Sequence, residues 1–368
     1  MAQGKKRKTA KLWFLYVVYC LIALVVVSEI VLRVAWTPPS FQTVIQGNDP
    51  VYHHSNRSDV ELAKLDGWRR PILPRSDSSE LRVFLVGDSF AQGMVDKAEQ
   101  SISHMIEKEL NEGAPSRKSV VYNMALLSYS PIVNYLVVRN LVLPNDPDVV
   151  LMMVDSSDPA DDAIYELLAK TGPDGRPVAV RPPPDYDLLP LKLEMVWIVL
   201  NRYAANDWVW ETYEQKRENR IAHYRDPYEQ WEGAFKRTNR YIAMTAELCR
   251  EKGVPFLLVH PPYPVVLKDR APFAKWMEKW GFDASKEYRG ANMDRALSQF
   301  AREHGVPFLN LEPTVLWLEK EHLAKGGRSS DLYQVDNGHF SELGHRLVAI
   351  PIASFVLENL PNQAKAKP

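Results

Sequence analysis

From residue 81 onward, short apolar runs alternate with longer stretches of helical spacing, and this alternation constrains the fold more than any other feature of the chain. Arg82–Gly87, Val120–Asn123, Val149–Val154, Pro255–His260 and Pro307–Leu311 read as strands, with Ser101–Glu112, Val133–Leu143, Phe235–Lys252 and Asn292–His304 as helices between them. Continuous apolar strands joined by helices form a parallel sheet covered on both faces, so the expected class is α/β. With 368 residues, 46% hydrophobic and 25% charged, the chain suffices for one large domain or two small ones, which excludes a disordered or fibrous class. Lys plus Arg (45) balance Asp plus Glu (46), so there is no positive field to hold a nucleic-acid backbone, and nucleic acid is not an expected partner. Cys20 and Cys249 are too few for a disulfide framework or a zinc site.

Lys5, Lys6, Arg7, Lys8 and Lys11 precede an apolar run from Leu12 to Val27 that continues past Ser28 and Glu29 to Leu32. The run approaches the ~20 residues that cross a bilayer. It exceeds the apolar core of about 7–15 residues in a cleaved signal peptide, and Glu29, Arg33 and Trp36 follow in place of a small-residue cleavage site. The expected organisation is a cytoplasmic basic N-terminus (1–11), a transmembrane helix (12–35), a stalk and lead-in (36–80), one folded domain (81–360) and a tail (361–368). Everything beyond the helix is then exported, in a bacterium to the periplasm. Residues 160–234 interrupt the alternation. Pro182, Pro183 and Pro184 are followed by a series of aromatics from Trp197 to Trp231, which reads as a helical, aromatic-rich insertion. Its rings either pack a cap onto the sheet or offer platforms for sugar or acyl groups.

The first strand runs directly into Asp88-Ser89-Phe90-Ala91, which places Ser89 at the carboxyl edge of the sheet, where open α/β folds bind ligands. A serine hydroxyl is a weak nucleophile at neutral pH and needs an imidazole to take its proton, with a carboxylate to fix the imidazole's tautomer. Asp336-Asn-Gly-His339 supplies both in one short loop, ahead of an N-cap at Ser341 and the apolar helical run Leu347–Leu357.

With these blocks in view, residues 81–357 resemble the SGNH (GDSL-like) hydrolases. The resemblance implies a three-layer α/β/α, flavodoxin-like fold and acyl transfer from an oxygen ester, with no cofactor and no metal. Ser89 is then the nucleophile, His339 the general base and Asp336 its orienting partner. In that family the oxyanion is held by the serine N–H, a glycine N–H and an asparagine side chain; here Ser128 and Ser157 stand at the last two positions. Ser128 keeps the backbone donor at a position glycine occupies more cheaply. Ser157 offers a shorter donor than an amide, and loss of one oxyanion donor costs about 3–4 kcal/mol. Weak hydrolysis, an altered reaction and an inactive site are all open on this reading. Asp88, Asp158 and the strand-terminal His260 are candidates for substrate contact, and His345 is expected to support the last helix. Asp155, Asp158, Asp161 and Asp162 lack the spacing of a calcium loop and read as a solvated helix start.

Export, tether and resemblance together imply a membrane-anchored esterase or O-acyltransferase. Its substrates would be ester-linked acyl groups, acetyl above all, of envelope or exopolysaccharide glycans, with a membrane acyl-transfer partner and water or a sugar hydroxyl as acceptor. The competing expectations are a lipid esterase, from the tether and the aromatics, and a degenerate domain that binds glycan or scaffolds an envelope complex, from Ser128 and Ser157. Gly87-Asp-Ser89-Phe-Ala91 departs from the Gly-x-Ser-x-Gly elbow of α/β-hydrolases.

Overall fold

The computed structural model describes residues 12–27, 46–49, 51–56, 72–75, 79–95, 97–115, 117–180, 221–288 and 291–360. The chain divides into two compact units, Met1–Gln46 with Pro183–Glu214 and Gly47–Pro182 with Gln215–Pro368. In the first unit the main described element is a helix, α1 (residues 12–27), whose large apolar side chains from Leu12 to Val27 are mostly exposed. Among the described residues no helix is long and apolar enough to cross a membrane, and residues 28–35 of the expected span lie outside them.

Two short strands, β1 (Gln46–Asp49) and β2 (His53–Asn56), pair with each other ahead of the main sheet. The Asp49 carboxylate accepts the N–H groups of Val51 and Tyr52 at 2.8 and 2.9 Å and closes the turn between them. Within the lead-in, residues 46–49 and 51–56 thus form regular structure that their irregular sequence does not announce.

The second unit is built on five parallel strands: β3 (Leu81–Val86), β4 (Ser119–Asn123), β5 (Val149–Met153), β8 (Phe256–His260) and β9 (Phe308–Asn310). Between β5 and β8 stands the antiparallel hairpin β6 (Ala169–Thr171) and β7 (Pro177–Val180). The spatial order β4-β3-β5-β8-β9 is the 2-1-3-4-5 order of flavodoxin-like doubly wound sheets. Val83 lies opposite Val121 on one side and Val149 on the other, and Leu151 lies opposite Leu257. These residues form one core with Ile102, Ile106 and Leu110 of the helix Ile102–Gly113 and Val348, Ile352 and Val356 of the helix Glu342–Glu358. On the opposite face Phe84, Val150, Met152 and Leu258 are fully buried. The helices Pro131–Val137, Asp158–Leu168 and Tyr228–Glu251, which pack on one another, cover that face. Each such buried side chain contributes about 1.5–3 kcal/mol.

The five strands fall within a residue or so of their expected bounds. The helix expected at Phe235 begins earlier, at Tyr228, because Tyr228 and Trp231 carry the apolar face forward onto Phe235 and His223. Of the stretch 160–234, residues 181–220, including Trp197, Tyr203, Trp208, Trp210 and Tyr213, lie outside the described residues.

Candidate active site

β3 ends at Gly87, whose φ is +153° and where a Cβ would lie 2.7 Å from the Met153 carbonyl oxygen and from Ala91 Cβ. Only glycine permits that approach, and it lets the chain turn at once into a short helix, Ser89–Gln92, capped by the Asp88 carboxylate on Phe90 N–H at 3.0 Å. Ser89 thereby stands at the carboxyl end of β3, beside the point where the strand order reverses.

The loop before the last helix brings His339 to the same place, with Nε2 2.7 Å from Ser89 Oγ. The loop turns at Gly338 (φ +76°), where a Cβ would press to 2.6 Å on the Trp276 ring. Asn337 Oδ1 accepts the His339 N–H at 2.9 Å and lies 3.1 Å from Nδ1. The Asn337 amide nitrogen donates to Gln334 Oε1 at 2.7 Å, and the Gln334 amide donates in turn to the carbonyls of Met94 and Phe340. This chain fixes which end of Asn337 faces the ring, so Nδ1 carries a proton and Nε2 accepts one from Ser89. Ser89 Oγ is also 3.3 Å from Asp88 Oδ2, the longer and weaker of its two contacts.

Asp336, expected to orient His339, is exposed and makes no hydrogen bond to it. The turn closes through the residue two positions before the histidine, which places the neutral Asn337 at Nδ1 and leaves Asp336 facing solvent. Ser341 caps the last helix by accepting Gly344 N–H at 3.1 Å, as its sequence position predicts.

At the oxyanion positions the two serines differ. Ser128 adopts φ +65°, a backbone that glycine takes up more cheaply, and its N–H, like that of Ser89, meets no acceptor among the described residues. Ser157 donates both N–H (2.6 Å) and Oγ–H (2.8 Å) to Asp155 Oδ1, so it lines the site with no proton to offer an oxyanion. A cavity of about 80 Å³ opens onto Ser89, His339 and Ser157 between Leu127, Tyr263 and Trp276, the last two stacked at 5.7 Å.

The acidic run at 155–162 is not solvated: Asp155, Asp158, Asp161 and Asp162 are all buried, as is Asp88. Burial and the neighbouring Asp155 push the Asp88 carboxyl well above the usual range. Burial also opposes ionisation of Asp155, but hydrogen bonds from Asp88, Tyr263 (2.8 Å) and Ser157 hold it low. The pair therefore shares one proton, with Asp88 as donor. Asp158 is raised by burial and by Asp155, and accepts the Asp155 N–H at 2.8 Å. Burial pushes Asp162 up to about 6 against hydrogen bonds from Ser130, Thr238 and Ile132. Asp88 and Asp158 thus serve the framework under the nucleophile rather than a substrate.

His260 is likewise fully buried, with Nδ1 2.7 Å from the Val154 carbonyl and Nε2 3.6 Å from Asp294 Oδ1, and it does not line the cavity. His345 lies 3.1 Å from the Gln100 carbonyl in support of the last helix. Among the described residues no group of three or more His, Cys, Asp or Glu is placed to hold a metal ion.

A serine, an imidazole and two backbone donors without an acceptor among the described residues, at the switch point of a doubly wound sheet, form an arrangement that can support nucleophilic acyl transfer. The chain matches no family model and no curated protein. Its fold is similar to solved lipases and esterases. One is a lipase/acylhydrolase from Enterococcus faecalis at 12% identity over 76% of this chain and 97% of that one, TM-score 0.40. Another is an acetyl xylan esterase at 13% identity over 75% and 100%, TM-score 0.41. A third is a two-domain esterase active on acetylated mannans at 13% identity over 78% and 50%, TM-score 0.37.

Proposed function

We propose that this chain is a serine esterase or O-acyltransferase that takes short acyl groups, acetyl foremost, from oxygen esters of envelope or exopolysaccharide glycans. The observation that carries this reading is the 2.7 Å contact between Ser89 Oγ and His339 Nε2, with Nδ1 held by Asn337. Ser89 attacks the acyl carbonyl as its proton passes to His339. The carbonyl oxygen, now negative, meets the N–H groups of Ser89 and Ser128. Collapse of the adduct expels the sugar alkoxide, protonated by His339, and leaves the acyl group on Ser89. Water or a second sugar hydroxyl, deprotonated by His339, then takes the acyl group away. The cavity of about 80 Å³ beside Ser89 and His339 has room for a short acyl group.

The membrane reading draws support from α1, which is apolar on nearly all sides and suited to lipid. The basic cluster before it supports an orientation with the domain outside the cytoplasm, where a membrane partner would deliver acyl groups. The alternative, a domain that binds acylated glycan without turnover, is favoured by the commitment of Ser157 to Asp155 and by the neutral Asn337. Hydrolysis of p-nitrophenyl acetate, butyrate and octanoate by wild type and Ser89→Ala separates these readings. Acetate is expected to react fastest, with activity lost in the variant. Preference for octanoate would favour a lipid esterase, and a folded but inert wild type would favour the binding domain.

A further inference from the structure

Ser128 stands in the left-handed region, where a non-glycine residue costs about 1–2 kcal/mol. Such a backbone persists where its surroundings over-determine it, and here three side chains do so. Gln92 Oε1, from the helix of the nucleophile, accepts Leu127 N–H at 2.7 Å; Tyr165 donates to the Ser128 carbonyl at 2.9 Å; and His54 Nε2 donates to the Leu127 carbonyl at 2.8 Å. The third bond differs from the others in what it controls. A trans peptide is planar, and its C=O and N–H point in opposite directions. Whatever fixes the Leu127 carbonyl therefore fixes the direction of the Ser128 N–H.

His54 lies 73 residues upstream, in β2. It is buried, and a reciprocal bond returns to it: Tyr129 donates to the His54 carbonyl at 2.8 Å, with the two rings 5.0 Å apart. The segment is anchored in turn where Tyr52 bridges Val180 and Val180 N–H donates to the Val51 carbonyl at 2.8 Å. Leu127 itself lines the cavity beside Ser89.

We propose that β2 belongs to the catalytic machinery, with His54 as a positioning residue that aims the Ser128 N–H at the oxyanion; the inference rests on the acyl-transfer reading above. β2 is thereby linked to the transition state, and its displacement turns the donor away.

The test uses the full chain with His54→Phe, which keeps a ring beside Tyr129 but removes the donor, and His54→Gln, which restores an N–H. Two quantities are read: kcat and KM for p-nitrophenyl acetate per titrated serine, and amide hydrogen exchange across residues 126–130. His54→Phe should lower kcat by about 10- to 100-fold with KM changed less than about two-fold, the pattern of a lost transition-state contact. It should also speed exchange in the loop, and His54→Gln should recover most of both. Unchanged kcat per titrated serine, or unchanged exchange, in His54→Phe would overturn the proposal. A wild type that neither labels with a fluorophosphonate nor turns over ester would instead sink the acyl-transfer reading, and the exchange comparison would still decide whether His54 holds the loop.

Discussion

Asn337 fixes the tautomer of His339 as a carboxylate would, but it adds no negative charge opposite the imidazolium that forms when Ser89 gives up its proton. Two substitutions separate the candidates for this role. Asn337→Ala should lower kcat by about ten-fold or more, whereas Asp336→Ala should leave it within about two-fold, as measured on an acetyl ester. The reverse pattern would restore Asp336 to the role its sequence position implies. The meeting of Ser89 with His339 was legible because each sits in a contiguous block whose residue types have few other uses together. The identity of the Nδ1 partner was not, since whether the residue two or three positions before a histidine reaches its ring depends on the dihedral angles of the turn. Ser157 was misread for a related reason: Asp155, two residues before it, competes for its donors. For His260, the strand end places the residue at the sheet edge but leaves the direction of the ring undetermined.

At the scale of elements, strands buried on both faces declare themselves as apolar runs, and all five were legible. Short β1 and β2 have no such run, and their order comes from the Asp49 turn and from contacts with distant loops. The helix Asp158–Leu168 shows what polarity alone conceals, because acids at a helix start ordinarily face water. Here Asp162 ties the helix to its neighbours, accepting Ser130 and Ile132 at the start of Pro131–Val137 and Thr238 in Tyr228–Glu251. Its folded value of about 6 lies above the ordinary 3.8, so the stability it contributes is fully present below pH 3.8 and is lost as pH rises through 6. The shift corresponds to about 3 kcal/mol. Asp162→Asn keeps an acceptor for Ser130 and Ile132 and cannot ionise. In urea unfolding, wild type should lose up to about 3 kcal/mol relative to this variant between pH 4 and 7. Parallel pH profiles would contradict a buried, titrating Asp162.

The doubly wound sheet brings together residues 250 positions apart, since Ser89 follows its first strand and His339 precedes its last helix. The α/β class was legible because composition and alternation agree, while the expected span 12–35 is described only as far as residue 27. Whole-molecule stability carries an acid-sensitive component. Burial lowers His223 and His345 to about 4 each, so both stay neutral in the fold while the unfolded chain takes up protons below 6.5. Their stability is lost as pH falls from 6.5 towards 4, by up to about 3 kcal/mol each. His345→Gln, able to donate to the Gln100 carbonyl, should flatten this loss when Tm is followed from pH 7 to 5. Because Asp88, Asp158 and Asp162 act in the opposite sense, the informative quantity is the difference between variant and wild type. The central claim, a serine activated by His339, is tested most directly by fluorophosphonate labelling of the full chain and of its Ser89→Ala and His339→Ala variants, with the modified peptide identified by mass spectrometry. The account predicts a label on Ser89 in wild type and none in either variant; a folded wild type that does not label, or a label that survives Ser89→Ala, would contradict it.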